Sequence, residues 1–282
     1  MISLLLTLCG IATSAAAGWV YDWETPASLW WGYGAMGGGT VFSDTEVAYA
    51  AANYRVVALS MCMGANTSSV ADTVMSVAAR LKALSPTIKV MLYWNMQQFA
   101  CYNKAEPSYA TFLANPQWWL KDDSGSPVLN NGSPQYDWQN PAAVEHWLTL
   151  PVALNGVTLL DGFLLDGGAV YQPEANVNPT RLEALKNAKW AAVGRLQARI
   201  AAINGGVTLA NGMAGGPIDP HVTDPFNLGV LAFSNGVENE RGSPAFEQVD
   251  GTTGEYRKDV IAANLQAAEQ AGQAANGTKL VA

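Results

Sequence analysis

The chain has 282 residues, 49% of them apolar and 13% charged, with a formal net charge of −8. A charged share about half of the usual ~25%, beside so much apolar residue, excludes a disordered chain, a coiled coil and a collagen-like repeat. The 15 Lys plus Arg form no basic cluster, which argues against a nucleic-acid partner, because clustered cations hold phosphate backbones.

In chain order, residues 1–17 read as a signal peptide. Ile2 to Ile11 is a short apolar run, and Ser14-Ala15-Ala16-Ala17 supplies small residues before Gly18. The alternative is a buried N-terminal helix or strand. The run is shorter than the roughly 20 residues of a membrane span, and no later segment is apolar enough to cross a bilayer. A secreted, extracellular protein is therefore expected. Cleavage removes Cys9 and leaves Cys62 and Cys101, which form one disulfide or stay as two buried thiols. Asn66, Asn131 and Asn276 head glycosylation triplets, whereas Pro179 blocks the one at Asn178. So few Cys and His residues make a structural zinc site improbable, and no metal or cofactor is expected.

An early strand is expected around Leu29 to Gly32. Tyr54 to Ser60 is a buried-strand pattern, followed by a helix with Val70, Val74, Val77, Leu81 and Leu84 at helical spacing and Ser85-Pro86 as its stop. Ile88 to Trp94 is the next strand. About sixty residues then separate Trp94 from Leu159, with one clear helix over Pro141 to Leu150. This insertion carries Tyr102, Tyr109, Trp118, Trp119, Tyr136 and Trp138, too aromatic for disorder. It is expected to fold over the end of the sheet to which the strands point. Leu159 to Asp166 is a further strand. A long helix opens at Asn178-Pro179, with Leu182, Leu185, Val193, Leu196, Ile200 and Ile203 inward and Gly205-Gly206 as its stop. Strands follow at Val207 to Ala210 and Gly236 to Glu240, then a helix over Tyr256 to Ala271 and a strand pattern at Lys279 to Ala282.

Alternating strands and helices predict an α/β protein with a parallel sheet. A single TIM-barrel-like (β/α)8 domain over 18–282 is favoured over an open sheet. The strand patterns fall one short of eight, so the barrel is expected to lack its last βα unit at the C-terminal end.

Ligands of such folds sit at the carboxyl ends of the strands. The polar residues ending the apolar runs are Asn95 after Trp94, Asp166, Asn211, and Glu238 or Glu240. Two facing carboxylates are the minimum equipment of glycoside hydrolysis, and aromatic rings match the apolar faces of sugars. Asp166 with Glu240 is the expected catalytic pair, and Glu238 is the substitute on the same strand face by alternation. Against this, Asp166 could cap the following helix, and Arg241 could neutralise Glu240 at the surface. Trp94, Asn95, Asn211, Trp31 and Tyr33 are candidate substrate-binding residues. Asp137 either binds sugar hydroxyls or orders the turn before the helix at Pro141. Asp219, His221 and Asp224 read as turn chemistry beside two prolines, and no Gly-x-Ser-x-Gly elbow supports a serine triad.

Five motifs, in order, carry a family resemblance: Lys89-Val90-Met91-Leu92-Tyr93-Trp94-Asn95, Trp119-Leu120-Lys121-Asp122-Asp123-Ser124-Gly125, Tyr136-Asp137-Trp138-Gln139-Asn140-Pro141, Asp161-Gly162-Phe163-Leu164-Leu165-Asp166 and Leu209-Ala210-Asn211-Gly212. With them the chain resembles the secreted glycoside-hydrolase-like TIM barrels that have a fourth-strand aspartate. The resemblance implies Asp166 as nucleophile or base and a sixth-strand acid, Glu240 and then Glu238, as its partner. The expected function is hydrolysis of O-glycosidic bonds in a polysaccharide or oligosaccharide. The alternatives are a non-catalytic carbohydrate-binding protein on the same scaffold and a wall component whose aromatic residues are only core.

Overall fold

The computed structural model describes residues 29–31, 41–60, 63, 70–96, 107–130, 132–156, 159–167, 177–211, 236–238 and 280–281. Its first elements are β1 (Leu29–Trp31), α1 (Asp44–Asn53), β2 (Val56–Ser60), α2 (Val70–Leu84) and β3 (Lys89–Asn95). The insertion holds α3 (Pro107–Leu113), a short 3-10 turn at Pro116–Trp118, β4 (Leu129–Asn130), β5 (Ser133–Pro134) and α4 (Pro141–Asn155). The chain continues with β6 (Gly162–Asp166), α5 (Pro179–Asn204), β7 (Val207–Asn211), β8 (Gly236–Glu238) and β9 (Leu280–Val281). Residues 1–17, Tyr33, Cys62, Asn66, Cys101, Asn131, Asp219, His221, Asp224, Glu240, the helix expected over Tyr256 to Ala271 and Asn276 lie outside the described residues.

The continuous apolar runs become strands because parallel strands are covered on both faces. Every residue of β2 is buried, and so is every residue of β3 after Lys89. On α2, Val74, Val77 and Leu81 are buried, as their spacing predicts, and Ala78 is buried with them, whereas Leu84 at the helix end is 60% exposed. The Asn178 side chain caps α5 by accepting from the Arg181 amide, Pro179 occupies its first turn, and Gly205 ends it at φ 73°. Ile203 is an exception to the predicted inner face, being 41% exposed. Helix α4 runs through Pro151 to Asn155, past the end expected at Leu150. Helix α1 has only Val47 and Ala50 buried, too short a stripe for periodicity to reveal. Its Ser43 and Glu46 nevertheless form a reciprocal capping box.

Seven strands form one sheet in the order β1-β2-β3-β6-β7-β8-β9, and every neighbouring pair is parallel. The order follows the chain without reversal, as successive right-handed βα crossovers produce. That is the winding of a barrel, and a doubly wound sheet reverses instead. Strands β1 and β9 are the edges, and among the described residues no pairing joins them.

Strand alternation then sorts the side chains. The Thr208 hydroxyl donates to Gln197 of α5, which identifies the helix side. By register Phe163, Leu165, Leu92 and Trp94 share that side, whereas Ser60, Met91, Tyr93, Asn95, Leu164, Asp166 and Leu209 face the other side of the sheet, the one that a barrel of this winding turns toward its lumen.

The aromatic residues of the insertion join the core. Phe112 packs on Tyr136 with ring centroids 4.4 Å apart, and Trp138 meets Trp147 edge-on at 5.3 Å. All four are buried, so these rings pack against one another rather than wall a cleft. The β4–β5 unit still reaches the expected end of the sheet. Asp123 Oδ2 accepts from the Asn178 amide at 3.0 Å, and its Oδ1 lies 3.5 Å from Arg181. Those residues open α5, which starts on the side where β6 ends.

Candidate active site

Strand β6 is bracketed by two aspartates with opposite surroundings. Asp161, just before its amino end, is tied to the scaffold. Its Oδ2 accepts from Lys82 Nζ at 2.5 Å and from the Val90 amide at 2.9 Å, and its Oδ1 from Lys89 Nζ at 3.2 Å. Three donors on one carboxylate lock β6 to β3 and α2. This is a structural site.

Asp166, at the carboxyl end, is half-buried and meets polar groups of the lumen face. Its Oδ2 accepts from Asn95 Nδ2 at 2.8 Å and from the Tyr93 hydroxyl. Asn95 Nδ2 also lies 3.3 Å from the Tyr93 oxygen, which closes a three-residue cluster. Asn95 is paired with Asp166 in the β3–β6 register, and Tyr93 stands two residues earlier on the same face. Two donors on one oxygen fix the plane of the carboxylate. A group held as acceptor suits a nucleophile or base better than an acid, which must donate.

The ladder continues across the sheet. Leu165 pairs with Ala210, and Asn211 pairs with Glu238, so Asn211 and Glu238 occupy the next two register positions at the level of Asp166. Trp31 pairs with Ala58 and thus also has a position on the lumen face, at the β1 edge. Two expected contributors go elsewhere. Trp94 is buried on the helix side, opposite Tyr93 and Asn95, so its ring is not a lumen platform. Asp137 orders the turn before α4, its Oδ1 accepting from the Gln139 amide at 3.0 Å. Asn140 takes over from there as the helix cap.

Sequence reasoning missed two residues of this region. Tyr93 sat unremarked inside a predicted strand. Lys189, in the middle of α5, is only 1% exposed, and its Nζ donates to the Gly167 carbonyl directly after Asp166. Burial pushes the ammonium down from its ordinary 10.5 to about 7, against the pull of the Asp166 charge, which raises it. The signal was legible: Leu185, Lys189, Val193, Leu196 and Ile200 share one helical stripe, and Lys189 is the lone cation on it. Among the described residues no three His, Cys, Asp or Glu side chains gather in a way that could hold a metal ion.

The Lys189 burial has a pH signature. With its folded value at about 7 and its unfolded value near 10.5, the unfolded chain holds the extra proton between those limits. Stability should therefore rise as pH increases through that window. Urea unfolding of the wild type and of Lys189→Met at pH 6.5 and pH 9 tests this. The wild type should gain more stability than the variant; equal gains would mean that Lys189 titrates normally.

No protein-family model matches the sequence, and no curated protein matches it either. Solved structures do match in fold. A noncanonic maltogenic alpha-amylase, AmyB, from Thermotoga neapolitana superposes with TM-score 0.55 at 11% identity, over 90% of this chain and 57% of that one. The glycoside hydrolase domain of PelA from Pseudomonas aeruginosa gives TM-score 0.52 at 15% identity, over 87% and 79%. Bacillus licheniformis trehalose-6-phosphate hydrolase gives 0.55 at 9%, over 93% and 57%. This chain thus spans little more than half the length of the amylase and of the trehalose-6-phosphate hydrolase. At these identities the likeness is one of fold: an α/β, parallel-sheet fold of the TIM-barrel type shared with glycoside hydrolases.

Proposed function

We propose that the protein is a secreted glycoside hydrolase that cleaves O-glycosidic bonds of a polysaccharide or oligosaccharide with a pair of carboxylates. Asp166 is the nucleophile or base, and an acid from the β8 region, Glu240 or Glu238, protonates the departing oxygen. One observation carries the reading: the Asp166 carboxylate is oriented by Tyr93 and Asn95 on the lumen face, at the carboxyl end of the fourth strand of the sheet. Strand β8 lies two steps away, roughly 9.5 Å between backbones at the usual strand spacing. The glycosidase-like fold supports the reaction class. Secretion rests on the N-terminal apolar run and its small-residue end.

The test is product release. Wild-type protein is incubated with a panel of neutral and amino-sugar polysaccharides and their oligosaccharides, and new reducing ends are counted alongside glycan retention. Release from at least one member is the expected result. Retention of a glycan that stays intact would overturn hydrolysis and select a carbohydrate-binding role.

A further inference from the structure

Lys189 is the least expected residue in the protein, a cation on the apolar stripe of a helix and almost wholly removed from water. An unpaired charge in such a place is strongly destabilising, so its surroundings must supply compensation. Part of that compensation is at the turn that leaves β6. Lys189 Nζ donates to the carbonyl of Gly167, whose φ of 65° turns the chain sharply after Asp166. The neighbouring Asp166 carries the balancing charge.

We infer that Lys189 is a positioning residue for Asp166: its bond to the Gly167 carbonyl clamps the turn directly behind the carboxylate and so sets where that group stands at the end of β6. The inference rests on the glycosidase reading for its catalytic meaning, although the coupling of the two charges exists with or without catalysis. A nucleophile or base has to be correctly aimed, and the bond behind it serves that end. Its carbonyl bond fixes where β6 stops. Its charge, in a region shielded from water, acts with little screening.

Other charged groups near this pair are already engaged. Tyr93 faces Asp166 from β3 and donates to it. On α5, Lys186 pairs with Glu183 at 2.9 Å and lies 5.0 Å from the Trp190 ring centroid. From α4, Glu145 is bound by Arg195 and Arg199, and His146 is turned into the insertion core, with Nδ1 3.2 Å from the Tyr136 hydroxyl. From β7, Thr208 is neutral and bonded to Gln197. Asp166 is the carboxylate that pulls on Lys189.

Electrostatic coupling is reciprocal, so it is measurable from either side. The first arm needs no substrate. Lysine side-chain carbon NMR follows the titration of Lys189 in the wild type and in Asp166→Asn, with Lys189→Arg assigning the signal. Loss of the carboxylate should move the midpoint to lower pH; an unmoved midpoint overturns the inference. The second arm uses a substrate found by product release. Lys189→Met should lower kcat about 10-fold or more with KM nearly unchanged, as expected when the carboxylate is mis-aimed in the transition state rather than lost from substrate binding. Lys189→Arg, which keeps the charge, should recover part of the loss. A fall in kcat that merely follows the folded fraction, or a rise in KM of the same size, would reduce Lys189 to a structural residue and overturn the inference. If no glycan is cleaved by the wild type, the hydrolase reading fails while the NMR arm still decides the coupling.

Discussion

Asp166→Asn is expected to lower kcat by about 10³-fold or more on whichever glycan the wild type cleaves, with the fold intact. The substitution changes one oxygen to a nitrogen and adds no volume. Asparagine still accepts through its remaining oxygen, so the Tyr93 hydroxyl and the Asn95 amide need not both lose their partner. What disappears is the negative charge and the lone pair that attacks carbon or takes a proton from water. Neither Tyr93 nor Asn95 replaces it, because both meet Asp166 as donors. Stability should fall somewhat below about pH 7, where Lys189 is charged and has lost its balancing carboxylate, and change little above it. Steady-state kinetics on the product-release substrate, with near-ultraviolet circular dichroism as the folding control, reads both parts. Turnover within a few-fold of wild type, in a folded variant, would remove Asp166 from the chemistry.

The position of Asp166 was legible because a carboxylate at the end of an apolar run has few structural explanations. Strands β2, β3, β6 and β7 and helix α5 were legible for related reasons: double-sided burial writes continuous apolar runs, and Asn178-Pro179 and Gly205 mark helix ends in the local sequence. Which side of a strand faces the lumen is a different kind of information. In Met91-Leu92-Tyr93-Trp94 both parities are apolar or aromatic, so nothing local separates Tyr93 from Trp94. The separation comes from register with β6, a non-local property, and it sends Tyr93 to Asp166 and Trp94 to the helices. The insertion was ambiguous in the same way. Its aromatic content left open whether the rings meet a ligand or the core, and Phe112, Tyr136, Trp138 and Trp147 are buried in the core. Composition reports how much aromatic surface exists and not which side of it is covered. Lys189 was overlooked for the opposite reason. Its stripe was visible, and the exception on it was the informative residue.

Gly162→Ala should cost about 3 kcal/mol or more of stability, a large effect for one methyl group. Gly162 opens β6 opposite Met91 on one side and Val207 on the other. A Cβ there would lie 2.1 Å from the Val207 carbonyl oxygen and 2.9 Å from its carbon. Both are backbone atoms, so no rotamer change relieves the clash, and the strands themselves have to part. Parting is resisted on both sides: Val207 donates its amide to the Asp161 carbonyl at 3.0 Å, and the Asp161 carboxylate is held by two lysines and the Val90 amide. Gly125 is the useful contrast. Nothing lies within 4 Å of a Cβ there, but its φ of 85° imposes backbone strain, so alanine should cost only about 1 kcal/mol. Urea unfolding midpoints of the two variants should therefore separate clearly, with Gly162→Ala far lower or recovered only in aggregated form. Equal midpoints would show that β6 and β7 do not approach so closely. The same displacement has a catalytic consequence, because Asp166 lies four residues along the strand. Any fraction of Gly162→Ala that does fold should turn over more slowly than Gly125→Ala, since β6 can move away from β7 only by shifting Asp166 against Asn95.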